Sequence, residues 1–231
     1  MLQQFNFDKT SMDRLVWDRM SRHQLARHER IVGLLSGVVG KAMGLGLNEC
    51  KLLTRAAALH DIGKADIALS IWSKEAPLDA EETSLVHQHP ILGYLRLKAH
   101  PRSADLNLAA LIALEHHERW DGRGYPAGKK GSEISLPARI TSICDVYSAL
   151  REKRPYKAGF DHEAALTELK AGSGSQFDPR VFTAFLACEP EIKQVFEARH
   201  NDAEATCVEF GNGQARLHLM RADISVSSRG Y

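Results

Sequence analysis

The chain has 231 residues, of which 44% are hydrophobic and 26% charged, and its 30 Lys plus Arg balance 29 Asp plus Glu. This length and composition predict one well-cored globular domain with a small appendage. The near-neutral charge argues against binding to polymeric nucleic acid, and no apolar run reaches the roughly 18 residues of a membrane span. Four widely spaced cysteines without a CxxC pair, and an N-terminus without a signal peptide, predict a cytoplasmic protein.

The first half of the chain is predicted to be helical. Apolar residues recur at helical spacing over residues 11–43 and again over 48–64, with "GLGLN" as the stop between the two helices. Asp79 followed by Glu82 is typical of a capping box at the start of a third helix. Pro90 should kink or divide that helix because proline cannot donate the backbone hydrogen bond of a helix interior.

The second half continues the helical pattern up to about residue 190. A strongly apolar helix is predicted over residues 104–117, and further helices begin near Pro137, Asp161 and Pro179. Beyond residue 200 the segments "ATCVEF" and "QARLHLM" alternate loosely around "GNG", which favours a small β-hairpin over a flexible end. The predicted fold class is therefore all-α, a helical bundle with a possible C-terminal β-hairpin.

The histidines and aspartates near the ends of these helices form an unusual set. His60 and Asp61 follow the small apolar residues of "LLTRAAALHDIGK", where a buried charge needs compensation, and a metal ion is a usual source of it. His116 and His117 repeat this arrangement after the next apolar helix. Asp145 lies within the apolar helix "ITSICDVYSAL", and an isolated buried carboxylate there would be costly.

His28 and His89 lie on two further helices, so imidazoles and carboxylates come from five helical segments. Helical bundles build di-metal sites in their cores from ligands arranged in this way. The mixed nitrogen and oxygen ligands suit Fe, Mn, Zn, Ni or Co and do not choose among them. The alternative, several unrelated structural histidines and aspartates, requires five coincidences.

The order of the motifs resembles one protein family. "HDIGK" at residues 60–64, "HP" at 89–90, "HHERWDGRGYP" at 116–126, "RPYK" at 154–157 and "FDP" at 177–179 are similar to the HD-GYP family, a bacterial branch of the HD phosphohydrolase superfamily. The resemblance covers about residues 20–187. It implies three segments: an N-terminal helical extension (1–20), an HD-GYP catalytic domain (21–190) and a C-terminal tail with the possible hairpin (191–231).

The resemblance implies a metal-dependent phosphodiesterase that hydrolyses cyclic di-GMP, with either linear pGpG or GMP as the end product. Two divalent ions, Fe or Mn in the first place, would share a bridging hydroxide that attacks the phosphorus. The implied metal ligands are His28, His60, Asp61, His89, His116, His117 and Asp145. His87 is left out because the family's ligand immediately precedes the proline.

Four further residues are candidates for catalysis or substrate binding. Lys64 lies four residues after His60, hence on nearly the same face of the predicted helix, and would act with Asp61 in catalysis; its alternative is a solvated helix-end lysine. Arg154 and Lys157 resemble the family's phosphate and base contacts, the alternative being a solvated basic turn. Tyr125 lies in the loop that follows His117 and carries the letters GYP, called here the GYP loop, and is expected to face a guanine or a partner protein.

Two positions depart from the family pattern. Gln24 stands one helical turn before His28, where many members have a glutamate that helps to hold a third metal ion. An amide is a poorer ligand for a hard cation, which favours a two-metal site. Ser148 replaces the second aspartate of "DVYDAL". The loss of this carboxylate is expected to affect one contact to the substrate or to a metal ligand, and not the ligand set itself.

The same motifs are also consistent with other functions. The chain could act on another cyclic dinucleotide, such as cyclic GMP-AMP, or on a nucleotide, because the motifs do not encode base recognition. A catalytically weak signalling scaffold is the alternative from a different class, with homodimers or signalling partners contacting the GYP loop. We expect neither polymeric nucleic acid nor a membrane as a partner.

Overall fold

The structure, a computed structural model, describes residues 21–72, 74, 76–100, 103–152, 159–201, 206–211 and 214–219. Its helices are α1 (Ser21–Ala42), α2 (Leu47–Ala57), α3 (Leu69–Trp72), α4 (Ala80–Val86), α5 (His89–Lys98), α6 (Ala104–Glu115), α7 (Leu136–Arg151), α8 (His162–Gly172), α9 (Pro179–Ala187) and α10 (Glu189–Asn201). Short 3₁₀ helices cover Ile62–Asp66 and Gly131–Glu133. Two strands follow, β1 (Thr206–Gly211) and β2 (Gln214–Leu219). The predicted all-α bundle is confirmed.

Local capping explains where several helices begin. The Asp79 side chain accepts a hydrogen bond from the backbone of Glu82, and the Glu82 side chain returns one to the backbone of Asp79, so the predicted capping box is present. The side chains of Asp161 and Asp178 each accept one backbone hydrogen bond at the starts of α8 and α9, without the reciprocal contact. Pro90 occupies the first turn of α5 and separates it from α4, which confirms the predicted division.

The helix predicted over residues 48–64 is wrong in its second half. Helix α2 ends at Ala57, and the HDIGK motif forms a turn followed by the 3₁₀ helix. Gly63 explains the change, because a Cβ at this position would lie 2.0 Å from the carbonyl oxygen of His89. The motif passes so close to α5 that a tertiary contact overrides the helical pattern.

Helix α1 lies at the centre of the bundle and packs against α2, α7, α9 and α10. Its apolar face, which includes Ile31 and Leu35, is fully buried in the core. Helix α10 belongs to the same core, because Ile192 and Phe196 are buried against it. Residues 191–201, which were predicted to be part of a C-terminal tail, thus continue the bundle. Proline and glutamates near the start of the helix made its apolar face difficult to recognise in the sequence.

The hairpin expected near the C-terminus is present in the described residues. Strands β1 and β2 pair antiparallel, with Thr206 opposite Leu219 and Gly211 opposite Gln214. Residues 1–20, predicted as a helical extension, lie outside the described part of the chain. Among the described residues, no helix combines the length and the apolar character needed to cross a membrane.

Candidate metal centre

Five segments of the bundle deliver the predicted ligands to one place. They are the second turn of α1, the turn after α2, the start of α5, the end of α6 and the middle of α7. The ligand atoms form two groups, within each of which all atoms lie within 4.8 Å of one another. One group contains Asp61, His89, His116 and His117, and the other contains His28, His60 and Asp145.

In the first group, imidazole nitrogens face one another and a carboxylate. His89 Nε2 lies 3.3 Å from His116 Nε2 and 3.1 Å from His117 Nε2. Asp61 Oδ1 lies 3.3 Å from His89 Nε2 and 3.6 Å from His116 Nε2. Four donor atoms thus converge on one point.

The second group is joined to the first through Asp61. His28 Nε2 lies 3.0 Å from Asp145 Oδ1, and His60 Nε2 lies 3.7 Å from the same oxygen. The other oxygen of Asp61, Oδ2, lies 3.3 Å from His60 Nε2. Since the two carboxylate oxygens of Asp61 face different groups, this side chain has the geometry of a bridge between two cations.

Backbone carbonyls orient three of the histidines. Nδ1 of His60 lies 2.9 Å from the carbonyl oxygen of Ala57, and Nδ1 of His89 lies 2.7 Å from that of Val86. His116 Nδ1 makes the equivalent contact with the preceding turn of its own helix. When Nδ1–H donates to a carbonyl, the lone pair of Nε2 is left for a metal ion. All three Nε2 atoms point into the centre.

Two buried atoms of the centre fit a bound cation. His60 Nε2 and Asp61 Oδ1 are shielded from solvent and have no hydrogen-bond partner among the residues that the structure describes. Buried polar groups without partners are costly, and a divalent ion would satisfy both the nitrogen lone pair and the carboxylate oxygen. The donor set of imidazoles and carboxylates suits Fe, Mn, Zn, Ni or Co.

The electrostatics of the carboxylates favour their charged forms. Burial alone would raise the pKa of Asp61, but the charges of Lys64 and His60 hold it well below its usual range. Burial likewise opposes ionisation of Asp145, but the hydrogen bond from His28 and the nearby charge of His60 hold its pKa well below the usual range. Both aspartates are therefore available as anionic ligands at neutral pH.

The histidines of the two groups differ in their protonation. Burial would lower the pKa of His28, but hydrogen bonds and charges of Asp145 and Glu152 outweigh it and raise the pKa to about 9. The pKa of His60 is raised well above its usual value because neighbouring aspartates outweigh burial. Burial lowers the pKa of His116 and, together with the His116 charge, that of His117. Without a metal ion, His116 and His117 are therefore neutral at pH 7, whereas His28 and His60 are protonated.

Lys64 reaches the centre by a route that differs from the prediction. Because the HDIGK motif is not α-helical, Lys64 does not share a helix face with His60; its ammonium instead forms an ion pair with Asp61 Oδ2. The ammonium also lies 5.1 Å from the ring centroid of Trp72, within the range of a cation–π contact. Lys64 thus sits at the edge of the centre as a cation.

Sequence reasoning missed three residues beside the ligands. The Trp72 ring stands edge-on to His89 at 6.1 Å between centroids. Burial and the charge of Asp61 raise the pKa of Glu29 to about 7, although His60 pulls it down. Glu152 lies beside His28. A signal existed only for Glu152, which follows Asp145 by seven residues and thus falls on the same helix face.

The GYP loop, which covers residues 118–130, forms one wall of the centre. The Tyr125 ring stacks on His117 at 4.8 Å and on His87 at 4.1 Å, so it lies between the two imidazoles. His87 is therefore a neighbour of the loop and belongs to neither ligand group, in agreement with its exclusion from the predicted ligands. Gly124 makes the turn possible, because a Cβ there would lie 2.4 Å from the backbone nitrogen of Arg119.

Two carboxylates, one of them buried, hold the same loop in place. Glu118 is 3% exposed and accepts hydrogen bonds from the backbone nitrogens of Ala127 and Lys129 at 2.7 and 2.9 Å. Asp121 pairs with Arg119 and accepts a hydrogen bond from the backbone nitrogen of Arg123. These contacts order the loop against the end of α6.

Two of the predicted substrate contacts fall outside the part of the chain that the structure describes. Arg154 and Lys157 lie outside the described residues, and the side chain of Gln24 is not described although its backbone belongs to α1. Ser148 is fully buried, with its hydroxyl 3.1 Å from His28 Nδ1. The departure from "DVYDAL" therefore falls directly beside a predicted ligand.

The fold and the centre define a helical-bundle protein with buried histidines and aspartates in two adjoining groups. A family profile described as "HD domain" matches residues 14–181. The chain therefore belongs to the HD domain family, and the resemblance predicted from the motifs is confirmed. The match covers both ligand groups and the GYP loop.

Individual relatives agree with this membership. The chain is 37% identical over 182 residues to the cyclic di-GMP phosphodiesterase response regulator RpfG of Xanthomonas campestris, covering 79% of this chain and 45% of that protein. It is 36% identical over 159 residues to the 3'3'-cGAMP-specific phosphodiesterase 2 of Vibrio cholerae, covering 69% and 30%. The chain thus spans less than half the length of these relatives.

The fold is also similar to a solved structure. An HDGYP protein of Bdellovibrio bacteriovorus, Bd1817, superposes with a TM-score of 0.57 at 20% identity, over 73% of this chain and 52% of that one. At this identity the comparison supports the fold alone.

Proposed function

We propose that this chain is a metal-dependent phosphodiesterase that hydrolyses cyclic di-GMP to linear pGpG and onward to GMP. The observation that carries the proposal is the pair of ligand groups joined through Asp61. The relative named as a cyclic di-GMP phosphodiesterase supports the choice of substrate. The proposed ligands are His28, His60, Asp61, His89, His116, His117 and Asp145.

The site is proposed to hold two divalent ions, Fe or Mn in the first place, with Zn, Ni or Co as alternatives. When bound, such ions polarise a phosphate and activate water at neutral pH. The chain's own residues orient and charge the site. Asp61 faces both groups, three histidines present Nε2 from carbonyl-anchored rings, and Lys64 offers an ammonium to a phosphate oxygen.

Aromatic side chains are proposed to shape the cleft. Tyr125 and Trp72 flank the centre on the sides of His117 and His89, and both offer flat apolar surface to a guanine base. Arg154 and Lys157 would contact a phosphate or a base on the strength of the RPYK motif. The free thiols of Cys50, Cys144 and Cys188 suit a reducing compartment, and we propose the cytoplasm as the location.

Cyclic GMP-AMP is the second candidate substrate, because one relative is named as specific for it. A signalling scaffold that binds a partner or a second copy through the GYP loop is the candidate without turnover. The three functions predict different results in one assay.

The experiment measures turnover of cyclic di-GMP and 3'3'-cyclic GMP-AMP by protein loaded anaerobically with Fe(II) or Mn(II). Products are separated chromatographically. Asp61→Ala should abolish turnover, because both ligand groups lose their shared carboxylate, whereas the exposed Glu168→Ala serves as a matched control with full activity. Faster hydrolysis of cyclic GMP-AMP would select the second substrate. If metal-loaded protein hydrolysed neither substrate, the proposed phosphodiesterase activity would be refuted and the scaffold function favoured.

A further inference from the structure

The outer edge of the His28 ring faces a carboxylate that no family motif specifies. His28 Nε2 points to Asp145, whereas Nδ1, on the opposite edge, lies 3.3 Å from Glu152 Oε1. The side chain of Glu152 is 20% exposed and that of His28 is 10% exposed, so the contact is partly shielded from solvent. The imidazole therefore lies between two carboxylates.

Helix α7 places these groups by simple periodicity. Asp145, Ser148 and Glu152 are separated by three and four residues and therefore lie on one face of the helix end. Glu152 is the first residue beyond the helix, and its backbone nitrogen still donates to the carbonyl of Ser148. This last hydrogen bond fixes the backbone of Glu152 at the end of α7, and its carboxylate reaches the Nδ1 edge of the His28 ring.

We infer that Glu152 is a positioning residue for the metal centre: its carboxylate accepts a hydrogen bond from Nδ1–H of His28 and thereby directs Nε2 to the ion shared with His60 and Asp145. The inference rests on the proposed metal site. His60, His89 and His116 use backbone carbonyls for this purpose, but the corresponding contact of His28 is made by side chains. Histidine ligands are commonly held by such a second hydrogen bond.

The serine at position 148 makes the role of Glu152 more specific. Where the family pattern "DVYDAL" has its second aspartate, this chain has Ser148, whose hydroxyl lies 3.1 Å from His28 Nδ1. A neutral hydroxyl polarises an imidazole less than a carboxylate does. Glu152, one turn further along, therefore supplies the negative charge on this edge of His28.

The test is a titration of the metal-free chain of 231 residues with Co(II) against a competing chelator. Working at about pH 8.5 reduces competition between metal ions and protons for the histidines. The variants are Glu152→Gln, which keeps the shape and removes the charge, Ser148→Ala, and the double variant S148D/E152A, which moves the carboxylate by one turn. Glu168→Gln on the exposed face of α8 is the matched control.

We expect wild type to bind two Co(II) ions and Glu152→Gln to lose about 10- to 100-fold in affinity at one of them only. The visible absorption bands of that ion should shift, because the orientation of one nitrogen ligand changes. S148D/E152A should recover most of the lost affinity, and Ser148→Ala should lose less than Glu152→Gln. Thermal melts of the metal-free variants verify that each one folds.

Wild-type affinity at both ions in Glu152→Gln, in a folded variant, would overturn the inference. A larger loss in Ser148→Ala than in Glu152→Gln would overturn it as well, because the hydroxyl would then be the acceptor that matters. Equal weakening of both ions would indicate a general structural role and likewise contradict it. If the wild-type chain bound no Co(II), the proposed metal site itself would be refuted. This result differs from the outcomes above, in which the wild-type chain binds metal and only the role of Glu152 is contradicted.

Discussion

The two ligand groups should respond differently to pH when the metal-free chain takes up metal ions. The pKa of His28 is about 9 in the absence of a metal ion, so at about pH 7 a proton occupies the site that the ion needs. Two pKa units correspond to about 2.7 kcal/mol, or about 100-fold in affinity. The proton on His28 alone should therefore make binding at His28, His60 and Asp145 tighten about tenfold per pH unit from pH 7 upward, and this contribution should level off near pH 9.

The sign follows from which form binds. Only neutral imidazole is a ligand, so a raised pKa weakens metal binding below that pKa and has no effect above it. His60, whose pKa is also raised, adds to the slope. His116 and His117 have lowered pKa values and are already neutral, so affinity at their group should change little over the same range.

Equilibrium dialysis between about pH 7 and pH 9 would resolve the two classes of ion. Calorimetry in two buffers that differ in ionisation enthalpy would count the protons released when metal ions bind. At neutral pH, the ion that binds at His28, His60 and Asp145 should release between one and two protons. His28→Ala should remove the pH-dependent class and retain the other. Two classes with the same pH dependence, or no proton release, would refute the assignment of protons to His28 and His60.

Three substitutions away from the ligand atoms test the scaffold by chemical unfolding. Gly63→Ala should cost about 1–3 kcal/mol, because the new Cβ would lie 2.0 Å from the carbonyl oxygen of His89 and force the chain apart. Glu118→Ala should cost about 1–3 kcal/mol by leaving two backbone nitrogens of the GYP loop unpaired, and limited proteolysis should then cut that loop. Asp178→Ala should cost about 3–5 kcal/mol because it leaves Arg139 charged and shielded.

The exposed Glu168→Ala is the common control for these three variants and should change stability by less than about 0.5 kcal/mol. Gly63→Ala at wild-type stability would mean that the HDIGK motif does not press against α5. Protease resistance of the loop in Glu118→Ala would contradict the role of that carboxylate as its anchor. A stability loss in Asp178→Ala no larger than that of the control would show that Arg139 finds another partner.

The sequence alone was sufficient to predict the helical class, several helix starts and the residues of the centre. Caps such as Asp79 with Glu82, and Pro90 at the head of α5, act within one turn of the chain, so their effect can be read without tertiary information. The seven residues that converge in the centre could be named because buried histidines and aspartates near helix ends are unusual, and because their motifs resemble one family.

Only the tertiary structure decided how these residues are used. The HDIGK motif leaves the helix because Gly63 meets α5, a contact between segments about 30 residues apart that periodicity cannot encode. The division into two groups, the bridging position of Asp61 and the approach of Glu152 to His28 likewise depend on how α1, α5, α6 and α7 converge. Local patterns specify where an element begins, whereas packing between distant segments determines which side chains meet.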